Sequence, residues 1–405
     1  MAKEIRLSRD LGLFQVTIAG VGIIIGAGIY ALIGVGAGLA GNAIWLSFLI
    51  SAVVAILTGL SYAELSSIFK GDAGEYDYIK PALGRRFAFW IAMALIAGTI
   101  ISSAAVALGF AGYFTKFIPM PVVSAAMLLI ILMTLINIWG IRETAWYNDF
   151  STLTEMLGLA VIIAIGFMRF GNKIDYFETP NGAEGIFGAA ALVFFAYIGF
   201  ESIVKLRDET KNPERTIPLG IIYSIIISSV LYVLVALSAV TAVGWKELSS
   251  TSAPLALVAS SFFGSYAFTV LAVIALFATS NTVLLTMVAA SRQLYGMARE
   301  HSLPSWFGKV SPTTETPVYA IIFTGLIAMI FAVLGDISVV ANLTNFFLFL
   351  TFAAVNLSLI MLRYKYPNIK RGFKCPGNMG NFSVIACLGM LTSIAMLVFV
   401  TINLF

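Results

Sequence analysis

Gly20-Val21-Gly22-Ile23-Ile24-Ile25-Gly26-Ala27-Gly28-Ile29-Tyr30 lies inside an apolar stretch, yet it packs glycines where a helix in hydrocarbon should be continuous. Glycine loosens helical order. In a bilayer an unwound backbone survives only where protein or a water-filled cavity surrounds it. Two readings fit the stretch. One is a helix break that offers main-chain groups to a substrate; the other is close helix packing through small residues, as in Gly22-x-x-x-Gly26.

The surrounding composition sets the frame. The chain has 405 residues, 60% hydrophobic and 11% charged, with a mean hydropathy of +0.97. Soluble domains carry roughly 25% charged residues, so the composition implies an all-α polytopic membrane protein. A span needs about 20 apolar residues, and eleven candidates follow: 13–38, 43–69, 87–115, 121–140, 147–169, 185–206, 216–243, 265–298, 318–334, 337–364 and 382–405. The polar start, Met1 to Asp10, and the long first span argue against a cleavable signal. With the N-terminus placed in the cytoplasm, only Lys116, Arg169, Lys173 and Lys246 of the 24 lysines and arginines fall on outward loops. That asymmetry matches the positive-inside rule. It predicts a multi-pass protein of the cell membrane, its N-terminus inside and, with eleven spans, its C-terminus outside.

Enzyme chemistry has little to work with. The two cysteines, Cys375 and Cys387, make no disulfide framework, and His301 is the only histidine. No nucleophile elbow is present. The expectation is therefore no enzyme, no cofactor, no metal and no nucleic-acid partner; the partners are the bilayer, a small substrate and a coupling ion.

The polar segment Gly171 to Glu184, with Pro180-Asn181-Gly182 as a turn, leaves five spans before it and five after, then one extra. The units are 1–172, 184–366 and 367–405. The sixth span repeats the oddity of the first: Phe194-Phe195-Ala196-Tyr197-Ile198-Gly199-Phe200-Glu201-Ser202 sets a glycine and an acid in an apolar helix. The first span runs outward and the sixth inward. Interrupted helices at matching positions of oppositely oriented halves point to an inverted repeat, against the reading of two unrelated packing glycines.

These residues resemble those of the amino acid–polyamine–organocation permeases, over nearly the whole chain. Gly22-x-x-x-Gly26-Ala27-Gly28-Ile29-Tyr30 looks like the family's first-span motif, with Tyr30 where Phe is usual. Tyr62-x-Glu64-Leu65, then Ala73-Gly74-x-Tyr76-x-Tyr78, resembles the second span and its inner loop; a proline and a second glycine usual there are replaced, the glycine by Glu75. The most specific match is Phe194 to Glu201 followed by Asp208-Glu209-x-x-Asn212-Pro213-x-Arg215-x-Ile217-Pro218. Ser291-Arg292-x-Leu294-Tyr295-x-Met297-Ala298-Arg299 with Leu303-Pro304, and Arg371-x-Phe373-Lys374-x-Pro376, complete the series. The resemblance implies the LeuT-type five-plus-five inverted-repeat fold with helices one and six broken. Many relatives have twelve spans or more, against eleven counted here.

The resemblance also implies roles. A zwitterionic amino acid suits a broken helix, whose free N–H groups match its carboxylate and whose free carbonyls match its ammonium group. With the break near Gly26, amides around Ala27 and Gly28 would hold the carboxylate. Carbonyls at Ile24, Phe195, Ala196 and Ile198 would hold the ammonium. Span three offers Ser102, Ser103 and Ala104 with no acid, which favours a neutral, small or apolar side chain. Tyr30, Tyr197 and Phe200 are candidate gates or plain packing residues.

Acids inside a membrane cost about 2.5–3.5 kcal/mol on insertion scales. Glu155 in span five is the candidate coupling group, placed where some proton-coupled relatives carry a lysine; it would bind and release a proton or ligate a cation. Its rival reading is a neutral side chain bonded to the broken backbone. Glu201 is read as gating or bonded to freed amides. Glu64 is read as reaching water from its span end. The run Lys205, Arg207, Asp208, Glu209, Lys211, Glu214 and Arg215 is read as a solvated loop or an inner-gate ion-pair network. In span eight Thr279, Ser280, Asn281, Thr282 and Thr286 offer oxygens beside a possible sodium ion, or bonds back to their own helix.

The expected function is secondary active uptake of an amino acid, neutral in class, by alternating access with proton coupling favoured. Sodium coupling, exchange without net ion flow and a non-transporting amino acid sensor are the alternatives. A channel fits less well, since no charge ring or filter repeat is visible.

Overall fold

The protein is described by a computed structural model covering residues 10–69, 74–140, 142–169 and 174–404. The polar N-terminal residues, Ala73 of the second-span motif, the boundary at 172 and the side chain of Asp208 lie outside the described residues.

Apolar sequence becomes helix here because only a helix satisfies its own backbone in lipid. The first span is split into α1 (Leu13–Ile24) and α2 (Gly28–Ala40). The chain then turns at Gly41, φ +68°, into α3 (Ile44–Ile68), the second span. A short amphipathic helix, α4 (Glu75–Leu83), precedes α5 (Arg85–Phe114), the third span. Spans four and five are α6 (Val122–Trp139) and α7 (Arg142–Met168). Span six is α8 (Gly182–Val193) continued by two 3-10 segments, Phe194–Tyr197 and Phe200–Glu209.

Span seven, α9 (Pro213–Ser249), begins on a proline, whose fixed φ suits a first helical turn, and loses helical geometry at Gly244. A second short helix, α10 (Pro254–Phe263), leads into α11 (Ser265–Arg299), span eight. Spans nine to eleven are α12 (Val318–Ala332), α13 (Ile337–Lys365) and α14 (Val384–Leu404). A two-stranded hairpin, β1 (Asn378–Met379) with β2 (Phe382–Ser383), precedes the last span.

All eleven predicted spans are present as helical segments. By length and apolarity alone, nine stretches among the described residues can cross a membrane. One of them, Gly28–Ile68, is 41 residues long. It holds two helices parted at Gly41, about twice what one crossing needs. The 15-residue α12 is the eleventh. The sequence reading left out α4, α10 and the hairpin, which are too short or too polar to show in a search for apolar runs.

Burial separates the spans into centre and rim. In spans three and six 78% of the apolar window is buried, against 33% in span four and 28% in span eleven. Span four turns Leu128, Leu132 and Leu135 outward, and span eleven turns out Leu391 and Ile402, as lipid-facing helices do. Spans one and six meet at the centre. Their far ends are strapped together as well: the Leu11 amide donates to the Glu209 carbonyl (3.0 Å) and Lys211 donates back to Leu11 (2.8 Å).

The end of the molecule holding most basic loops, called here the basic face, contains a knot of buried charge. Glu64 is fully buried. Arg363 of span ten grips it through Nε (2.9 Å) and Nη2, Arg371 stands 3.0 Å away, and the Cys375 amide donates to it at 2.8 Å. This corrects the expectation that Glu64 reaches water. Two guanidinium groups brought in from the far end of the chain supply what water would have. Burial, and then the Glu64 carboxylate beside it, pushes the Cys375 thiol well above the usual thiol range.

Candidate functional site

The glycine-rich stretch unwinds between α1 and α2. Ile25 takes ψ 85°, outside the helical region, and the Gly26 amide folds back onto the Ile24 carbonyl (2.8 Å). Span six opens opposite it, where Ile198 has ψ 136° and Gly199 has φ +123°. The two breaks lie against each other. A Cβ on Gly28 would sit 2.6 Å from the Ala196 Cα, and one on Gly199 would sit 2.8 Å from the Ile23 carbonyl oxygen. Each glycine is required because the other broken span's main chain occupies that space.

A break leaves main-chain groups without helical partners, and neighbouring spans supply several. The Thr282 hydroxyl of span eight accepts the Ala27 amide at 3.2 Å while donating to its own Ala278 carbonyl. The Tyr232 hydroxyl of span seven lies 2.8 Å from the Ile24 carbonyl and 2.8 Å from the Ala196 carbonyl. One phenol thus bridges both breaks. Asn345 of span ten donates to the Ala191 (2.7 Å) and Leu192 (3.0 Å) carbonyls where α8 ends. The Ile198 amide reaches the Phe195 carbonyl only at 3.4 Å.

The structure therefore gathers Ile24, Gly26, Ala27, Gly28, Phe195, Ala196 and Ile198 into one region. Of the groups named from sequence, the Ala27 amide and the Ile24, Ala196 and, at 3.4 Å, Phe195 carbonyls already have protein partners. The α2 N-terminus has no side-chain cap, so the amides that begin it, from Gly28 onward, are the donors its helix leaves over. Sequence reasoning overlooked Tyr232 and Asn345. Their signal was a polar side chain inside an apolar span, which in hydrocarbon usually has a partner to satisfy.

Glu155 is 2% exposed, and its Oε1 has no hydrogen-bond partner among the described residues. Its backbone carbonyl accepts the Tyr30 hydroxyl at 2.8 Å, and its carboxyl lies within electrostatic reach of Tyr30 and Tyr232. Span five thus meets the α2 side of the first break through Glu155, and the α1 side through Thr152, 3.2 Å from where a Cβ on Gly22 would sit. The three aromatic gate candidates are fully buried. Tyr30 takes the Tyr113 hydroxyl on its carbonyl (3.0 Å), Tyr197 donates to the Phe48 carbonyl (2.9 Å), and Phe200 packs edge-on against Tyr62.

Glu201 accepts the freed Gly199 amide at 2.8 Å. Near it, toward the basic face, Tyr62 donates to Glu75 of α4 at 3.0 Å. Burial raises the Glu75 carboxyl above its ordinary value, opposed by the Lys205 charge and the Tyr62 bond. In span eight Ser280 and Thr286 bond back to the Leu276 (2.6 Å) and Thr282 (2.8 Å) carbonyls of their own helix. Asn281 donates to Asn148 of span five (3.0 Å), leaving its buried Oδ1 without a partner. Arg207, in the charged run after span six, donates to the Ser66 carbonyl of span two.

A cleft of about 300 Å³ lies elsewhere, at the basic-face ends of spans three and eight, and is lined by none of these residues. The region of the breaks is instead closely packed, with Ala27 unexposed and Ala196 only 3% exposed.

A sequence model of a family described as "Amino acid permease" matches residues 11–405. Among individual proteins, the branched-chain amino acid permease BcaP of Bacillus subtilis is 29% identical over 99% of this chain and 92% of its own length. The methylthioribose transporter of the same species is 30% identical, over 93% and 86% of the two chains. The vacuolar cationic amino acid transporter 4 of Arabidopsis thaliana is 30% identical over 90% of this chain and 64% of its own.

Proposed function

Because the chain belongs to the amino acid permease family, we propose that it takes up a neutral amino acid by proton-coupled alternating access at the paired breaks of spans one and six. The basic face is the cytoplasmic one in this reading, the membrane is the cell membrane, and 1–172 and 184–366 are the inverted halves. The observation that carries the proposal is the Tyr232 hydroxyl, which lies 2.8 Å from the carbonyls of both breaks. A donor on one atom already fits between the two helices, and a substrate ammonium group has three such donors.

The carboxylate would meet the amides from Gly28 onward, at the positive end of the α2 dipole. The Ala27 amide would join them on exchanging Thr282 for substrate. Small, uncharged Ser102, Ser103 and Ala104 in span three favour a small or apolar side chain, and the branched-chain relative agrees in class.

Glu155 would carry the proton. A buried carboxyl with an unpartnered oxygen is costly as an anion, so its charge state is a lever on the packing around the break. Labelled amino acids should accumulate in proteoliposomes under an imposed proton gradient and not under a sodium gradient. Glu155→Gln should abolish accumulation while sparing exchange. Accumulation driven by sodium alone would reassign Glu155 to cation ligation.

A second reading comes from the same phenol. If Tyr232 stays on both carbonyls during transport, the substrate needs no ammonium group, as the methylthioribose relative suggests. Competition for uptake by a sugar thioether, but by no amino acid, would select it.

A further inference from the structure

The cleft on the basic face is lined by Tyr76, Arg85, Arg86, Phe89, Trp90, His301 and Ser302. Three of the seven carry or can take a positive charge, and none is acidic. Gly84, at φ +94°, breaks the chain between α4 and α5 and sets Arg85 and Arg86 side by side at the start of span three. Both arginines are exposed, as is His301 across the cleft, itself held at φ +55° just past the end of span eight. Lys80 lies over the Tyr76 ring at 5.5 Å and joins the two arginines as a third cation at the margin.

Below this cationic lip the surface changes character. Trp90 is 69% exposed and Phe87 43% exposed, within the first two turns of span three. Indole and phenyl rings so placed mark the level where headgroups give way to acyl chains. Cation above and exposed aromatic surface below is one recognition pattern for a single amphipathic ligand.

We propose that this cleft binds the headgroup of an anionic phospholipid, with Arg85, Arg86 and His301 on the phosphodiester and Trp90 against the upper acyl chain. A soluble anion would use the lip alone and leave the aromatic step unexplained. Its volume lies at the lower end of the ~300–1,000 Å³ usual for small-ligand sites. The lipid would join the ends of spans three and eight.

The test is native mass spectrometry of the purified full chain with equimolar phosphatidylglycerol and phosphatidylcholine. A basic residue near an anionic surface is worth roughly fivefold in partition. The wild type should therefore retain phosphatidylglycerol over phosphatidylcholine by fivefold or more, and Arg85→Gln/Arg86→Gln should bring the two near parity. Arg215→Gln/Arg292→Gln removes two exposed arginines of the same face outside the cleft and should keep the preference. Phosphatidylglycerol brominated along its upper chain should quench wild-type tryptophan emission more than that of Trp90→Phe. Equal loss in both double variants would show mere surface charge and overturn the site. Displacement of the lipid by millimolar inorganic phosphate, with no Trp90 quenching, would assign the cleft to a soluble anion and overturn the proposal.

Discussion

Glu64 and Glu155 are both buried glutamates in apolar helices, and they are treated in opposite ways. Glu64 receives Arg363, Arg371 and the Cys375 amide, whereas an oxygen of Glu155 has no partner among the described residues. The first belongs to a knot in which charge answers charge. The second sits beside main chain held by neutral donors and acceptors, the hydroxyls of Tyr232 and Thr282 and the Gly26 amide. A neutral hydrogen bond is worth about 0.5–1.5 kcal/mol net and can be exchanged for a ligand's. A buried ion pair stripped of one partner costs about 3–5 kcal/mol and cannot. One region is built to stay; in the proposed function the other trades partners.

The largest expected effect follows directly. Arg363→Met leaves Glu64 buried with less than its full complement and removes the Asn378 contact to the loop before span eleven. The loss should approach 3–5 kcal/mol, read as early loss of monodisperse protein on heating in detergent. Glu64→Gln should cost a similar amount, since it strands two arginines. Glu155→Gln should cost less than about 1 kcal/mol, because an amide replaces a group that had no ionic partner to lose. Equal destabilisation by the two glutamine variants would erase the contrast between the regions.

Much of the fold was legible in the sequence, the pairing of Glu64 was not, and the missing part has a physical reason. Apolar runs gave the eleven spans because hydrophobic length is a local property. Glycine clusters gave both breaks, since Gly28 and Gly199 stand where another backbone comes within van der Waals range. Partners from distant segments were not legible. Nothing near Glu64 in the chain announces Arg363, 299 residues away, and nothing near Ile24 announces Tyr232, 208 residues away. Whether a hydroxyl in span eight bonds its own helix or a neighbour also depends on rotamer and packing: Ser280 does the first, and Thr282 does both.

A smaller effect sharpens the exchangeable side of the comparison. Tyr232→Phe removes the one donor shared by the Ile24 and Ala196 carbonyls and should cost the empty protein about 1–3 kcal/mol. In the proposed function the ammonium group then takes a site with no competitor. Added substrate should raise the melting temperature of the variant more than that of the wild type. If substrate stabilises both equally, the phenol does not stand where the amine binds.

Glu75 is the intermediate case and should give the smallest signal. It has one phenol donor, Tyr62, and feels the Lys205 charge, so it is neither knotted like Glu64 nor open like Glu155. Burial outweighs both and raises its pKa above the ordinary 4.5. The folded protein then holds this proton more tightly than the unfolded chain does. Its stabilising contribution is complete below the ordinary carboxylate value and is lost as pH rises through the raised one. Glu75→Gln has no proton to lose, so wild type and variant should melt together near pH 4.5, and the wild type should fall behind as pH rises toward 8. A wild type that instead gains on the variant over that range would mean that Lys205 outweighs burial, placing Glu75 with Glu64 among the acids held by a cationic partner.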